Sequence, residues 1–406
     1  MELQGYFLNL TQLNLEGFRF FYFFTVVCVV YISAVLIKWS VKRKRWMKAL
    51  QQFPGPPGHW LLGHVTQFKQ DGTDLQKIPK WGEEYPFAFP MQFSPDNIFL
   101  FVHHPSYVKP ILATTGEGLL VTAGDKWFRH RRLLTPGFRS HILKPYVNLM
   151  SDSAKVMLDK WEVYARTGQN FELFEHVSLM TLDSIMKCAF SCQSNCQTVR
   201  LNPYIKAVYE LCNLVNLRFR VFPYHNDIIF HMSPHGYRYR KACKIAHDHT
   251  DEVIRQRREI LNIKKKQGEA LEKRYFDFLD ILLCANDKQH QGLSDEGIRA
   301  EVDTFMFEGH DTTASGISWI FYSMACNPEH QQKCREEIQQ VLMGKDTIEW
   351  NCIGQNFALN EMKVVVALTL RKYVLIKDPD HTPKMIPRLV LRSLNGIHLK
   401  IKLVEN

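Results

Sequence analysis

The chain has 406 residues, 46% hydrophobic and 23% charged, and its 51 Lys and Arg outnumber 41 Asp and Glu, for a formal net charge of +10. These proportions are those of a folded protein with apolar material for one large domain or two or three small ones. The positive balance points to an acidic partner or an anionic membrane surface; no nucleic acid is expected, because no DNA- or RNA-binding motif is present and the basic residues are not massed on one helix.

In chain order, Asn9-Leu10-Thr11 is a glycosylation sequon, and FFYFFTVVCVVYISAVLI (20–37) carries no charge. A stretch of that length is about enough to cross a bilayer core, and the basic run KWSVKRKRWMK behind it places the following side in the cytosol. A cleaved signal peptide is the weaker reading, since the N-region is not basic and no A-x-A-like site follows. In FPGPPGHW (53–60), Pro54, Pro56 and Pro57 fix φ and predict a stiff, extended connector. The expected organisation is a luminal 1–17, a transmembrane 18–37, a basic stop and hinge 38–58, and a body 59–406.

Apolar spacing predicts helices over 141–166, 171–190 and 240–265, with a polar loop at 264–275. Strand-like alternation is confined to 97–104 and 389–404, the latter read as a hairpin turning at Asn395-Gly396. The fold class is therefore mainly α with a small β portion. Ten cysteines are scattered as expected of reduced thiols. Cys188, Cys192 and Cys196 share a helical face, but the spacing fits no common zinc or iron–sulfur pattern, so buried free thiols are the preferred reading. His247 and His249, two apart on a helix, make a poor chelate.

Residues 293–326 predict a long helix, N-capped by Ser294 and apolar on most faces. Glu308-Gly309-His310-Asp311-Thr312-Thr313 is set into it, at a cost to stability. A polar kink is the bland explanation. The functional one puts Glu308 and Thr312 on one face, lets Gly309 admit a flat object, and allows Asp311 and Thr312 to pass protons. Further on, NCIGQNFALNE (351–361) has the form of a metal site: Cys352, a tight step at Gly354, then a helix.

FMFEGHDTT and CIGQNFALNE together resemble the oxygen-activating helix and haem-ligand loop of the cytochrome P-450 monooxygenases. The anchor, basic stop and proline hinge resemble the microsomal members. HVSLMTLDSIMKC, DFLDILL and EVDTFMFEGHDTT resemble family four, the fatty-acid ω-hydroxylases. The resemblance implies a P-450 fold on one N-terminal transmembrane helix in the endoplasmic reticulum membrane, and haem b with Cys352 as thiolate ligand to iron. It also implies Asp311 and Thr312 as the proton relay, Trp127 and Arg131 (a W-x-x-x-R pair) on a haem propionate, and Gly309 and Gly354 at the cofactor. In a subset of that family a glutamate at the place of Glu308 forms an ester with a haem methyl; a carboxylate with a raised pKa is the other reading. Electrons would come from NADPH through a flavin reductase docking on a basic face around Lys126, Arg129, Arg131, Arg132 and Arg139. Membrane lipid and a lipophilic substrate are the remaining partners.

Two features of the family are missing. No Glu-x-x-Arg lies between Thr313 and Cys352, and no Phe-x-x-Gly-x-Arg precedes the cysteine. TIEW (347–350) resembles family sequence well upstream of the ligand. Trp350 and Asn351 therefore read as joined across a deletion of roughly a hundred residues, most of a typical domain's length, and a smaller gap is expected at 109–120. Such a chain implies a splice isoform or a defective gene model. The alternative function is an inactive membrane-anchored pseudo-enzyme that binds partners or is degraded.

Overall fold

This computed structural model describes residues 2–50, 52–59, 62–69, 71–93, 98–103, 124–138, 140–193, 196–198, 202–267, 277–288, 293–341, 354–388 and 390–404. Cys352, the Trp350–Asn351 junction, the 109–120 segment and most of the 264–275 loop lie outside them, as do the side chains of the sequon, Lys126 and Trp127. The chain folds as two units, Met1–Gln67 with Lys80–Val108, and Phe68–Pro79 with Lys109–Asn406.

In the first unit α1 (Glu2–Leu50) is one helix, unbroken at the expected boundaries of 17 and 37. Tyr22, Phe23, Val30, Tyr31 and Ile37 are all more than half exposed along it. No helix among the described residues is long and apolar enough to cross a membrane. The proline segment that follows is tied down rather than free. Pro56 O is 2.9 Å from His64 Nε2, Pro57 O accepts from Gln67 Nε2 at 2.6 Å, and His64 Nδ1 accepts from Gln92 N at 2.9 Å. Gly63 turns the chain at φ +59, where a Cβ would lie 2.2 Å from Gln92 O, so only glycine fits. The C-terminal part of α2 (Asp74–Glu84) lays Trp81 edge-on to Phe89. Phe89 belongs to β1 (Ala88–Gln92), which pairs antiparallel with β2 (Ile98–Val102), Phe89 stacking on Phe101.

The second unit is helical from α3 (Gly124–Leu134) through α4 (Ser140–Thr167), then β3 (Phe171–Glu172), α5 (Leu173–Ala189), α6 (Pro203–Arg220), α7 (Asp227–Met232), α8 (Pro234–Lys266) and α9 (Phe278–Lys288). It continues through α10 (Asp295–Cys326), α11 (Pro328–Val341) and α12 (Gln355–Lys372), and closes with β4 (Tyr373–Lys377), β5 (Met385–Pro387), β6 (Leu391–Ser393) and β7 (His398–Leu403). Helix starts follow local chemistry. Asn202 accepts from Tyr204 N and Ile205 N, and Ser233 from Gly236 N, each with proline in the first turn; Ser294 accepts from Gly297 N.

The expected hairpin at 389–404 does not form. β6 pairs with β5, whereas β7 pairs antiparallel with β4 and β3. Gly396 does turn, at φ +78, but it passes the chain between two sheets. The reason lies in burial: Leu399 and Ile401 of β7 are wholly buried with Trp161, Phe321 and Tyr373, a core that β4 already flanks. The outer edge of β4 is closed by a side chain. Gln331 of α11 donates from Nε2 to Leu375 O at 2.9 Å and accepts from Leu375 N at 2.9 Å, imitating a neighbouring strand.

α10 runs through both cores. Val302, Phe305 and Met306 pack with Ile185, Phe278 and Phe357, while Ala314, Ile317 and Phe321 pack with Trp161, Val365 and Leu375. Residues 308–313 lie between these two segments.

Candidate active site

Between His310 and Ser318, α10 is buried except at Thr312 and Gly316. Thr312 is exposed and Glu308, one turn earlier, is half-buried, whereas His310, Asp311, Thr313 and Ala314 are buried. The i, i+4 spacing puts Glu308 and Thr312 side by side. Thr312 Oγ1 donates back to Glu308 O at 2.6 Å, which leaves its lone pairs toward the open face. Burial, with Glu301 adding repulsion, pushes the Glu308 carboxyl up to about 7.

Asp311 does not join that face. One residue from Thr312, it turns about 100° round the helix, and its carboxylate accepts from the Arg392 guanidinium of β6, both groups buried. The Arg392 guanidinium also lies 3.9 Å from the Phe174 ring centroid. The structure thus separates the two expected members of the proton relay: Thr312 faces outward and Asp311 faces the C-terminal strands. Gly309 meets α5. A Cβ there would lie 2.9 Å from Ile185 Cγ1 and Cδ1, so the bare face of Gly309 admits α5.

Trp127 and Arg131 lie four apart on α3, on one face, with the Arg131 side chain half-buried. Between them His130 is buried, and its Nδ1 lies 2.6 Å from Glu301 Oε1 of α10. This contact joins the W-x-x-x-R helix to the helix of Glu308, and no sequence pattern announces it. Arg129 and Arg132 are exposed. Gly354 caps the start of α12 without a side-chain hydrogen bond, and a Cβ there would meet nothing within 4 Å. Unpaired amides at a helix start favour an anion such as a thiolate next to them. Farther along α12, Glu361 is fully buried with neither carboxylate oxygen hydrogen-bonded among the described residues. Burial raises it to about 8, and the nearby Ser184 hydroxyl offsets little of that.

The remaining sequence-level candidates have structural partners. Cys188, Cys192 and Cys196 are buried free thiols, Cys188 against Tyr146 O and Cys196 against Leu179 O. His247 Nδ1 is 2.9 Å from Asp303 Oδ2, while His249 lies against Tyr204, so the two histidines point apart.

The described residues thus offer an uncovered polar stripe with a titratable carboxyl on α10, a W-x-x-x-R helix tied to α10 through His130 and Glu301, and a helix start without a side-chain cap. The family model for cytochrome P450 matches residues 53–351. The chain is 38% identical to cytochrome P450 4B1 of Rattus norvegicus over 487 positions, 93% of this chain and 95% of that one. It is 40% identical to cytochrome P450 4A6 of Oryctolagus cuniculus, over 88% and 92% of the two chains. It is 39% identical to cytochrome P450 4A11 of Homo sapiens, over 94% of each. The chain belongs to the cytochrome P450 family, and among its members it is similar to the 4A and 4B proteins. By family it is a haem-thiolate monooxygenase. An alignment of 487 positions against a chain of 406 residues requires an internal gap, and the family match stops at residue 351, beside the Trp350–Asn351 junction.

Proposed function

We propose that this chain is a haem-dependent monooxygenase of the fatty-acid ω-hydroxylase type, inserting one oxygen atom from O2 into a C–H bond of a lipophilic acid. The observation that carries this reading is the Glu308–Thr312 stripe, an uncovered strip set among the buried residues 310–311 and 313–315. Haem, when bound, supplies oxygen activation; a thiolate ligand favours O–O cleavage. Cys352 would provide that thiolate beside the unpaired amides of α12. Arg131 and Trp127 would hold a propionate, with His130 fixing their helix to Glu301. The Thr312 hydroxyl would hold a proton on the open face. Asp311 would sustain this geometry through Arg392 and feed protons only by way of intervening groups. Glu308, with its raised pKa, is the residue for an ester tether to a haem methyl.

The proposal extends to place and partners. Exposed apolar side chains from Tyr22 to Ile37, followed by a basic run, suit α1 to a bilayer, with the body on the cytosolic face of the endoplasmic reticulum. The exposed Arg129 and Arg132 suit an acidic reductase carrying electrons from NADPH.

A second reading has its own observation. The gap at Trp350–Asn351 removes the family's approach to the ligand cysteine, which favours an anchored chain that binds partners without turnover. The reduced carbon-monoxide difference spectrum of membranes containing the full chain separates the two. A strongly red-shifted Soret band is expected for thiolate-ligated haem. Protein present with no such band overturns the enzyme reading and leaves the pseudo-enzyme.

A further inference from the structure

Arg392 and Arg388 both face the ring of Tyr209 on α6, with their guanidinium carbons 5.4 and 5.6 Å from its centroid. They do not share the same electrostatic situation. Arg392 is neutralised by Asp311. Arg388, at the turn between β5 and β6, has no carboxylate partner among the described residues. Its Nε and Nη1 are buried and lack any hydrogen-bond acceptor there. Cys212, also on α6, lies near the same group: burial, with Asp311 adding repulsion and Arg392 and Arg388 opposing, leaves its thiol raised to about 11. Among the described residues, two arginines against one aspartate leave one positive charge uncompensated in a half-buried place. One turn beyond Tyr209, Asn213 adds a buried amide oxygen without a donor.

An unpaired guanidinium away from water is costly, and a ligand that brings a carboxylate removes the cost. Nε and Nη1 lie on different edges of the guanidinium, so either edge can receive a carboxylate. The Tyr209 ring supplies apolar surface beside the charge, and Tyr209 is 44% exposed, so the place is reachable from solvent. The Asp311–Arg392 contact fixes this hairpin to the helix that carries Thr312.

We propose that Arg388 is the carboxylate anchor for the substrate, binding the headgroup of a fatty acid at the β5–β6 turn against Tyr209. The proposal rests on the fatty-acid reading above and assigns a residue to it. Arg388 is a specificity residue: it grips the end of the substrate that does not react. Its neighbour Arg392 holds Asp311 and is not free to do so.

The test is equilibrium binding of radiolabelled dodecanoate and of its methyl ester to the purified full chain in detergent, which needs no turnover. The wild-type chain is expected to bind the acid at least about tenfold more tightly than the ester, as for one charge-assisted hydrogen-bonded contact. R388Q is expected to erase that preference while leaving ester affinity unchanged, and R388K to keep part of it. Equal binding of acid and ester by the wild type overturns the anchor while the fatty-acid reading stands. Survival of the preference in R388Q does the same. Failure of both ligands to bind overturns the fatty-acid reading and the anchor together. Dodecyl phosphate binding as tightly as dodecanoate would assign the site to lipid headgroups and overturn the carboxylate assignment. Thermal unfolding of R388Q checks its fold; the acid-versus-ester comparison on the wild type stands without the variant.

Discussion

Glu361 is a costly residue: a carboxyl with no exposure and, among the described residues, only the nearby Ser184 hydroxyl to offset its burial. Its pKa rises from an ordinary 4.5 to about 8, chiefly through burial. The folded state therefore binds the proton more tightly than the unfolded chain does. Its stabilising contribution is complete below about 4.5 and is lost as pH rises through about 8. At one unit per roughly 1.4 kcal/mol, the loss is on the order of a few kcal/mol. E361Q, which keeps shape without charge, is expected to flatten the dependence of unfolding midpoint on pH between 5 and 9 and to be the more stable chain at pH 9 (approximate bounds set by the same titration). A wild-type midpoint that does not move over that range would show that Glu361 has a partner in solution. Glu308, raised to about 7, adds a second slope of the same sign.

Among the elements, α10 and α5 pack against each other, and they come close at Gly309. G309A gains about 1 kcal/mol of helix propensity, but its methyl group would push against Ile185 Cγ1, an atom close to the backbone and slow to give way. Overpacking of this kind costs about 1–3 kcal/mol, so a lower midpoint in urea is expected, with a net loss of about 1 kcal/mol. The helices themselves were legible in the sequence. The spacing over 293–326 and the serine before it specify α10 and its cap, because both signals are local. The strands of 389–404 were legible as strands but not in their pairing, since burial of Leu399 and Ile401 beside β4 decides it. Glu308 and Thr312 share a face as i, i+4 spacing requires. The partners His130–Glu301 and Asp311–Arg392 were not legible, because they lie 171 and 81 residues apart and only the packed fold brings them together.

At the scale of the molecule, the internal gap governs what remains. The described C-terminal sheet has three strands in the order β3-β7-β4, so β4 is an edge. Gln331 covers that edge at Leu375 with a two-way amide contact. Q331A would bare the backbone N–H and C=O of Leu375, and bare edges template pairing with other chains. Faster growth of light scattering on warming is expected for Q331A than for the wild type, with little change in helix content beforehand. An unchanged rate would mean that neighbouring groups cover the edge as well. Gln331 at Leu375 and Arg335, which donates to Tyr373 O at 3.3 Å, thus stand together between this strand and its copies in other molecules: two polar side chains of one helix do for β4 what a neighbouring strand would do.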